Sequence, residues 1–305
     1  MPGQLMLVDS ASLWFRAFYG VPVTVTSPDG QPINAVRGFL DHLARLLHEH
    51  RPGGFVACLD VDWRPTFRVE AVPTYKAHRV AVAAGEDGDA DLEEVPDELS
   101  PQVELIVQVL EAIGLATAGA AGYEADDVIG TLAARSAVPV DIVTGDRDLF
   151  QVVRPGVRVL YTVDKGRPYD DAAVAAKYAI PHAAAYADFA LLRGDPSDGL
   201  PGVPGIGAKT AAALLTEYGT LGALLAALDR GERVPAGPKL AAARDYLAAA
   251  EPVMAVRTDV VLPRIDPALP TAPADPDALA MLVARYGLAA PVRRLSASIR
   301  DCAAG

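Results

Sequence analysis

Cysteine is nearly missing from this chain of 305 residues: only Cys58 and Cys302 occur. Two such distant thiols exclude a disulfide framework and any zinc-finger spacing, and Cys58, inside an apolar run, reads as a small core residue. Long apolar runs are missing as well. The N-terminal MPGQLMLVDS is too short in its apolar part for a signal peptide, and no stretch reaches the roughly 20 residues of a membrane span. A reducing, cytoplasmic setting without a membrane partner is therefore expected. Positive charge is in deficit, with 27 Lys and Arg against 39 Asp and Glu and a net charge of −12, which taken alone argues against a polyanionic partner. The deficit is unevenly spread: residues 80–100 carry eight acids and no base, so the total does not decide the question. No internal repeat is evident. What remains is 51% hydrophobic and 22% charged, a globular composition with length enough for one large domain or two.

Against these absences stand nine carboxylates: Asp9, Asp60, Glu124, Asp126, Asp127, Asp146, Asp148, Asp195 and Asp198. Three of them end apolar runs, QLMLVD (4–9), GFVACLD (54–60) and PVDIVTGD (139–146). A continuous apolar run is the pattern of a parallel strand covered on both faces, and ligands of open α/β sheets bind outside the carboxyl ends of the strands. Acids gathered there raise one another's pKa unless cations lie among them. Oxygen-only ligands favour Mg²⁺ or Mn²⁺ over zinc. A multi-metal, phosphodiester-cleaving site is expected.

The first half alternates short apolar strands with amphipathic segments, the pattern of a parallel sheet with crossover helices. Helices are expected after strand 4–9, over 33–50, over 101–114 and from about 124. Residues 62–100 interrupt this order, basic and aromatic first, then acidic. From about 182 the pattern turns helical, which sets a boundary near 180. In GYEADDVIGTLA (122–133) the acids fall in a first helical turn, where the macrodipole favours anions, although such acids are common caps. TGDRDLFQVV (144–153) sets two aspartates one residue apart after a strand. GDPSDGLPGVPGIGAKTA (194–211) joins Asp195 and Asp198 to a glycine hairpin: Gly205 and Gly207 would let a phosphate approach a helix N-terminus, with Lys209 and Thr210 as further donors. In TFRVEAVPTYKAHR (66–79), Lys76 and Arg79 are spaced to share a helix face, suited to charge developing on a phosphoryl group. Arg68 there is equally readable as a fold-stabilising ion pair. Arg16 lies two turns beyond Asp9 and would reach a phosphate. Phe15 and Phe18 read as packing residues before base-stacking ones.

Together LMLVDSASLWFRAF (5–18), TFR…YKAHR (66–79), EADD (124–127), TGDRD (144–148) and the 194–211 segment resemble the bacterial 5′→3′ exonuclease and flap endonuclease family, which includes the N-terminal nuclease domain of DNA polymerase I. No polymerase region follows, so the stand-alone form is expected. The resemblance implies an α/β, PIN-like nuclease domain over 1–180 with a helical arch at about 62–100. It also implies a helical lobe over 181–305 with a helix–hairpin–helix at about 188–217. It assigns Asp9, Asp60, Glu124, Asp126 and Asp146, with Asp127 alongside, to a first metal position and Asp148, Asp195 and Asp198 to a second. Lys76, Arg79, Arg16 and Asp148 become catalytic candidates; Gly205, Gly207, Lys209, Thr210, Tyr75 and Arg68 become DNA-binding candidates. Two or more Mg²⁺ or Mn²⁺ ions are implied, with K⁺ at the hairpin. The implied substrates are 5′ flaps, nicks, 5′ ends and branched duplex, RNA–DNA primers included, handled by a nucleoid-associated monomer in replication and repair. The acidic stretch 80–100 departs from what a DNA-threading arch should carry, so order there is expected only on DNA. A catalytically silent junction binder and a PIN-type ribonuclease are the rival readings; the intact Asp195/Asp198 pair argues against the first, the glycine hairpin and basic arch against the second.

Overall fold

The computed structural model describes residues 3–80 and 96–303; the expectation about order in the acidic stretch therefore falls largely on residues outside the described ones. The chain runs β1 (Leu5–Asp9), α1 (Ser10–Gly20), α2 (Asn34–His50), β2 (Gly54–Cys58), α3 (Thr66–Ala71), α4 (Ser100–Ile113), β3 (Thr117–Ala118), α5 (Ala125–Arg135), β4 (Val140–Thr144), β5 (Val157–Tyr161) and β6 (Arg167–Tyr169). There follow α6 (Asp171–Tyr178), α7 (Tyr186–Arg193), α8 (Ala208–Tyr218), α9 (Leu221–Asp229), α10 (Gly237–Ala242), α11 (Arg244–Met254), α12 (Pro276–Tyr286) and α13 (Ala289–Ala303).

The six strands form one sheet in the order β3-β2-β1-β4-β5-β6, parallel except for the β5–β6 hairpin. The expected parallel α/β sheet is therefore present. Every residue of β1, β2 and β4 is buried, as mainly apolar runs require when both faces are covered; the one internal acid, Asp141 of β4, is paired with Arg158 at 2.6 Å. Alternate side chains divide between two cores. Met6, Val8, Phe55 and Ala57 pack with α1, α2 and α4, whereas Leu7, Val56, Cys58 and Ile142 pack with α5 and the helices from α6 to α11.

The strands stop before the acids that end their runs. Asp60 lies two residues past β2 and Asp146 two past β4, in loops at the carboxyl edge; only Asp9 is the last residue of its strand. There it also caps α1, its Oδ1 accepting from the Ser12 N–H at 3.0 Å. The helical lobe does not run to the C-terminus as expected. After α11 the chain returns along the sheet, the Phe55 N–H donating to the Pro267 carbonyl at 2.8 Å. Val292, Leu295 and Ile299 of α13 then join the α2 side of the core, pinned by Arg294 to Asp41 at 2.6 Å. The apolar stripe of α13 covers a face of α2 that would otherwise meet water, a pairing set by tertiary contact. Among the described residues no single helix is long and apolar enough to cross a membrane.

Candidate active site

One cavity of about 350 Å³ opens at the carboxyl edge of the sheet, and its wall includes Asp9, Asp60, Glu124, Asp126 and Asp146. The five acids arrive by four elements, Glu124 and Asp126 sharing the start of α5, and separate restraints aim Asp9, Asp60, Glu124 and Asp146. Thr144 Oγ1, at the end of β4, donates to Asp9 Oδ2 at 2.7 Å, tying the tips of two adjacent strands. Asp60 Oδ1 accepts from the Ala125 N–H at 2.6 Å, at the start of α5. Glu124 caps that helix, with Asp127 reaching back to the Glu124 N–H to complete a capping box. Asp146 Oδ1 accepts from the Asp148 N–H at 2.9 Å, an Asx turn that fixes the carboxylate at the end of the loop.

Burial and crowding show in the acidities. Burial pushes Asp9 up to about 6, with repulsion from Asp146 adding to it. Burial, then Glu124 and Asp9, push Asp60 up to about 7. Asp126 is raised well above the carboxylate range by burial and by Asp146, Asp9, Glu124 and Asp60. Glu124 is the exception: burial would raise it, but Lys76 and Arg68 outweigh burial and hold it low. Acids crowded in this way are stabilised in their charged form by a cation among them. All of the donors are carboxylate oxygens, which fits a hard divalent ion. The fit is incomplete in one respect. Among the described residues no three acidic, histidine or cysteine side chains close on a single point at ligand distance, and the Lys76 ammonium stands among the acids.

Lys76 is mostly buried, and its Nζ meets Glu124 Oε2 at 2.5 Å. Burial would lower its pKa, but Glu124, Tyr75, Asp198 and Asp60 raise it, so it stays charged. Arg79 also lines the pit and donates to the Ser197 carbonyl at 2.7 Å. The expected shared helix face is not how the two meet. Lys76 adopts a left-handed backbone, φ 47°, ahead of a single 3₁₀ turn, Ala77–Arg79, so the loop rather than a helix aims them. The loop is docked by Gly199: a Cβ there would lie 2.2 Å from the Thr74 carbonyl oxygen, at φ +72°. The Lys76 N–H donates to the Asp198 carbonyl at 3.1 Å. The basic segment and the Asp195–Asp198 loop thus form one packed unit.

These contacts place four more of the candidates away from the pit. Arg68 is 3% exposed and spans Glu124 at 3.0 Å and Asp127 at 2.8 Å, the internal ion pair that was one of its two readings. Tyr75, 2% exposed, donates its hydroxyl to Glu124 Oε1 at 2.7 Å and faces the interior. Asp127 points away from the pit, accepting from Arg68 and from the Arg257 N–H at 2.9 Å. Arg16 lines a separate cleft behind α1. For Arg68, Tyr75 and Asp127 an adjacent buried partner, invisible from spacing, captured the side chain.

The remaining acids sit behind the wall. Asp148 is buried and raised well above its usual range, by burial and by Asp146, Asp198 and Asp195. Asp195, 1% exposed, is held by Arg147 and Arg193 at 3.3 Å each and by both donors of Ser197. Asp198 lies 3.5 Å from Arg79 and is raised by burial against the pull of Lys76. Arg147, Ser197, Trp63, Ser12 and Gly145 also line the pit and were not singled out from sequence. Arg147 was discoverable, lying between the two aspartates of TGDRD.

The glycine hairpin joins α7 to α8. Gly205 takes φ +75°, whereas Gly207 caps α8 with ordinary extended backbone, so only the first needs glycine for its dihedral. Ile206 is buried beneath, and Gly205, Gly207, Lys209 and Thr210 are all exposed at the N-terminus of α8. The Gly205 carbonyl accepts from Lys239 Nζ at 3.0 Å.

Comparison with known proteins fits this layout. The model of the 5′-3′ exonuclease N-terminal resolvase-like domain matches residues 4–179, and that of the 5′-3′ exonuclease C-terminal SAM fold matches 181–277. A 5′-3′ exonuclease of Streptomyces coelicolor is 56% identical over 95% of this chain and 98% of its own length. One from Mycobacterium tuberculosis is 49% identical over 98% of each. The solved flap endonuclease of bacteriophage T5, in a complex with DNA and metal ions, superposes with a TM-score of 0.61 at 17% identity, covering 99% of this chain and 100% of that one; this last likeness concerns the fold. With both halves of the chain matched and relatives aligned nearly end to end, the chain belongs to the 5′-3′ exonuclease family.

Proposed function

We propose that the chain is a metal-dependent, structure-specific 5′→3′ exonuclease and flap endonuclease that hydrolyses DNA phosphodiesters at 5′ ends, nicks and flaps. The observation that carries this reading is the convergence of five carboxylates with Lys76 and Arg79 in one pit at the carboxyl edge of the sheet. Asp9, Asp60, Glu124, Asp126 and Asp146 would hold Mg²⁺ or Mn²⁺. Asp148, Asp195 and Asp198 would serve a second position once Arg147, Arg193 and Arg79 turn from them toward phosphate. When bound, such ions supply Lewis-acid polarisation of the phosphoryl oxygens and a lower pKa for an attacking water.

The chain's own residues do the rest. Lys76, kept cationic by Glu124, and Arg79 neutralise charge that grows on the non-bridging oxygens. The exposed N-terminus of α8, with Lys209 and Thr210, grips duplex phosphates without reading bases. Because the Lys239 ammonium already meets the Gly205 carbonyl, the hairpin part of the proposal needs no potassium ion. Unpairing a terminal nucleotide costs a few kcal/mol, least at flaps, nicks and ends, which suits Okazaki-fragment processing and repair by a cytoplasmic, nucleoid-associated monomer, RNA–DNA primers included. Asp148→Ala tests the reading: cleavage of a 5′-flap substrate in Mg²⁺ or Mn²⁺ should be abolished with DNA affinity retained. Near-normal turnover in that variant would refute the assignment.

A further inference from the structure

Behind α1 lies a second cleft of about 370 Å³, lined by Arg16, His42, Arg45, Glu49, Thr162 and Lys165 among others. Its size falls at the lower end of ligand pockets. In a chain of net charge −12 it gathers three permanent cations against one acid. The one acid is weakly used: Glu49 and Arg45 are 3.9 Å apart with both side chains about half exposed, a pairing of little energetic weight. Arg16 and Lys165 enter no ion pair among the described residues. His42 adds to the picture. Arg45 Nη2 lies 3.0 Å from His42 Nε2, and because guanidinium only donates, Nε2 is the acceptor and Nδ1 carries the hydrogen. Burial, Arg45 and Arg16 push that imidazole down to about 4, as expected where positive potential is already concentrated.

The cleft and the acid pit share a wall. Ser12 and Phe15 of α1 line the pit, and the next residue, Arg16, lines the cleft. On the other side Gly145 lines the pit and Thr162 the cleft, and a Cβ on Gly145 would lie 3.0 Å from Thr162 Oγ1. The partition is one helical turn and one glycine thick. A polyanion with a phosphodiester in the pit therefore has its neighbouring phosphates within reach of the cleft.

We propose that this cleft is a second phosphate site, taking one backbone phosphate of the DNA strand whose nearby phosphodiester occupies the acid pit. The proposal rests on the nuclease reading above. Arg16, Arg45 and Lys165 supply the charge, with the Thr162 hydroxyl as a neutral donor. The site holds the strand in register and takes no part in bond breaking, so it should act on affinity and on its salt dependence.

The test is a cycle between protein and DNA. The protein variant is Arg45→Gln/Lys165→Gln, two exposed positions, with its urea midpoint compared to wild type. The DNA is a fluorescein-labelled 5′-flap substrate carrying a neutral methylphosphonate at each of the four phosphates nearest the cleaved bond in turn. Binding is read by anisotropy in Ca²⁺. The double variant should weaken binding about three- to tenfold at low salt and reduce the log–log salt slope by about 0.7–0.9, the loss of one phosphate contact. One methylphosphonate position should weaken wild type equally and leave the variant unaffected. Unchanged affinity and slope in the variant, or additive losses at all four positions, would overturn the proposal. So would a cleft that responds only to free anion, with inorganic phosphate raising the melting temperature of wild type alone while DNA binding is unchanged. Cleavage by wild type in Mg²⁺, measured in parallel, separates failure of the nuclease reading from failure of this site.

Discussion

Asp60→Asn isolates the electrostatic cost of the pit. Asp60 starts from 3.8 in the unfolded chain and, partly buried beside Glu124 and Asp9, is pushed up to about 7 in the folded one. Between these values the folded state holds a proton that the unfolded state has released, so stability falls as pH rises through that window. Below about pH 4 the residue is protonated in both states and contributes nothing; above about pH 7 the full penalty is present. A shift of about 3 units at about 1.4 kcal/mol each gives roughly 4 kcal/mol, an upper bound because water and side-chain relaxation screen the site. Asparagine keeps the acceptor for the Ala125 N–H and removes the charge. In EDTA, urea midpoints should therefore match for the two proteins at pH 4 and separate by pH 8, with Asp60→Asn more stable by about 2–4 kcal/mol. Adding Mg²⁺ at pH 8 should stabilise wild type and narrow the gap, since a ligand that binds only the folded state stabilises it by mass action. A variant that is equally or less stable than wild type across the whole pH range would refute the reasoning.

Arg68→Ala strips Glu124 and Asp127 of their buried guanidinium and should cost about 3–5 kcal/mol in urea unfolding, while the salt slope of DNA binding by the folded protein stays as in wild type. Gly199→Ala places a methyl group against the Thr74 carbonyl at positive φ; kcat for flap cleavage should fall at least tenfold as Lys76 and Arg79 are displaced, with the helical lobe's DNA affinity kept. Lys209→Ala should weaken duplex binding uniformly across sequences and lower the salt slope by about 1, and a sequence-dependent loss would contradict the assigned backbone contact.

Periodicity and run length were enough for the central architecture. Mainly apolar stretches such as LMLV (5–8) and the 140–144 segment, whose one internal acid Asp141 is paired with Arg158, suit parallel strands covered by helices on both faces. Acids at or just beyond their ends then fall at the carboxyl edge, which is why Asp9, Asp60 and Asp146 were legible there; Glu124 and Asp126, at the start of α5, were grouped with them through the family resemblance, and all five line one pit. The glycine hairpin was legible for a similar local reason, its turn and helix start being written in adjacent residues.

Tertiary structure alone decided which charges face the pit. Arg68 and Lys76 stand eight residues apart in one basic segment, yet one is sealed between Glu124 and Asp127 and the other is at the pit. Asp126 and Asp127 are neighbours in sequence, and the helix turns one toward the acids and the other toward Arg257. The return of α13 onto α2 and the placing of Arg16 behind α1 have the same origin. Chain order constrains residues a few positions apart, whereas the partner that neutralises a buried charge comes from wherever the fold brings one, here 59 positions away for Arg68 and Asp127.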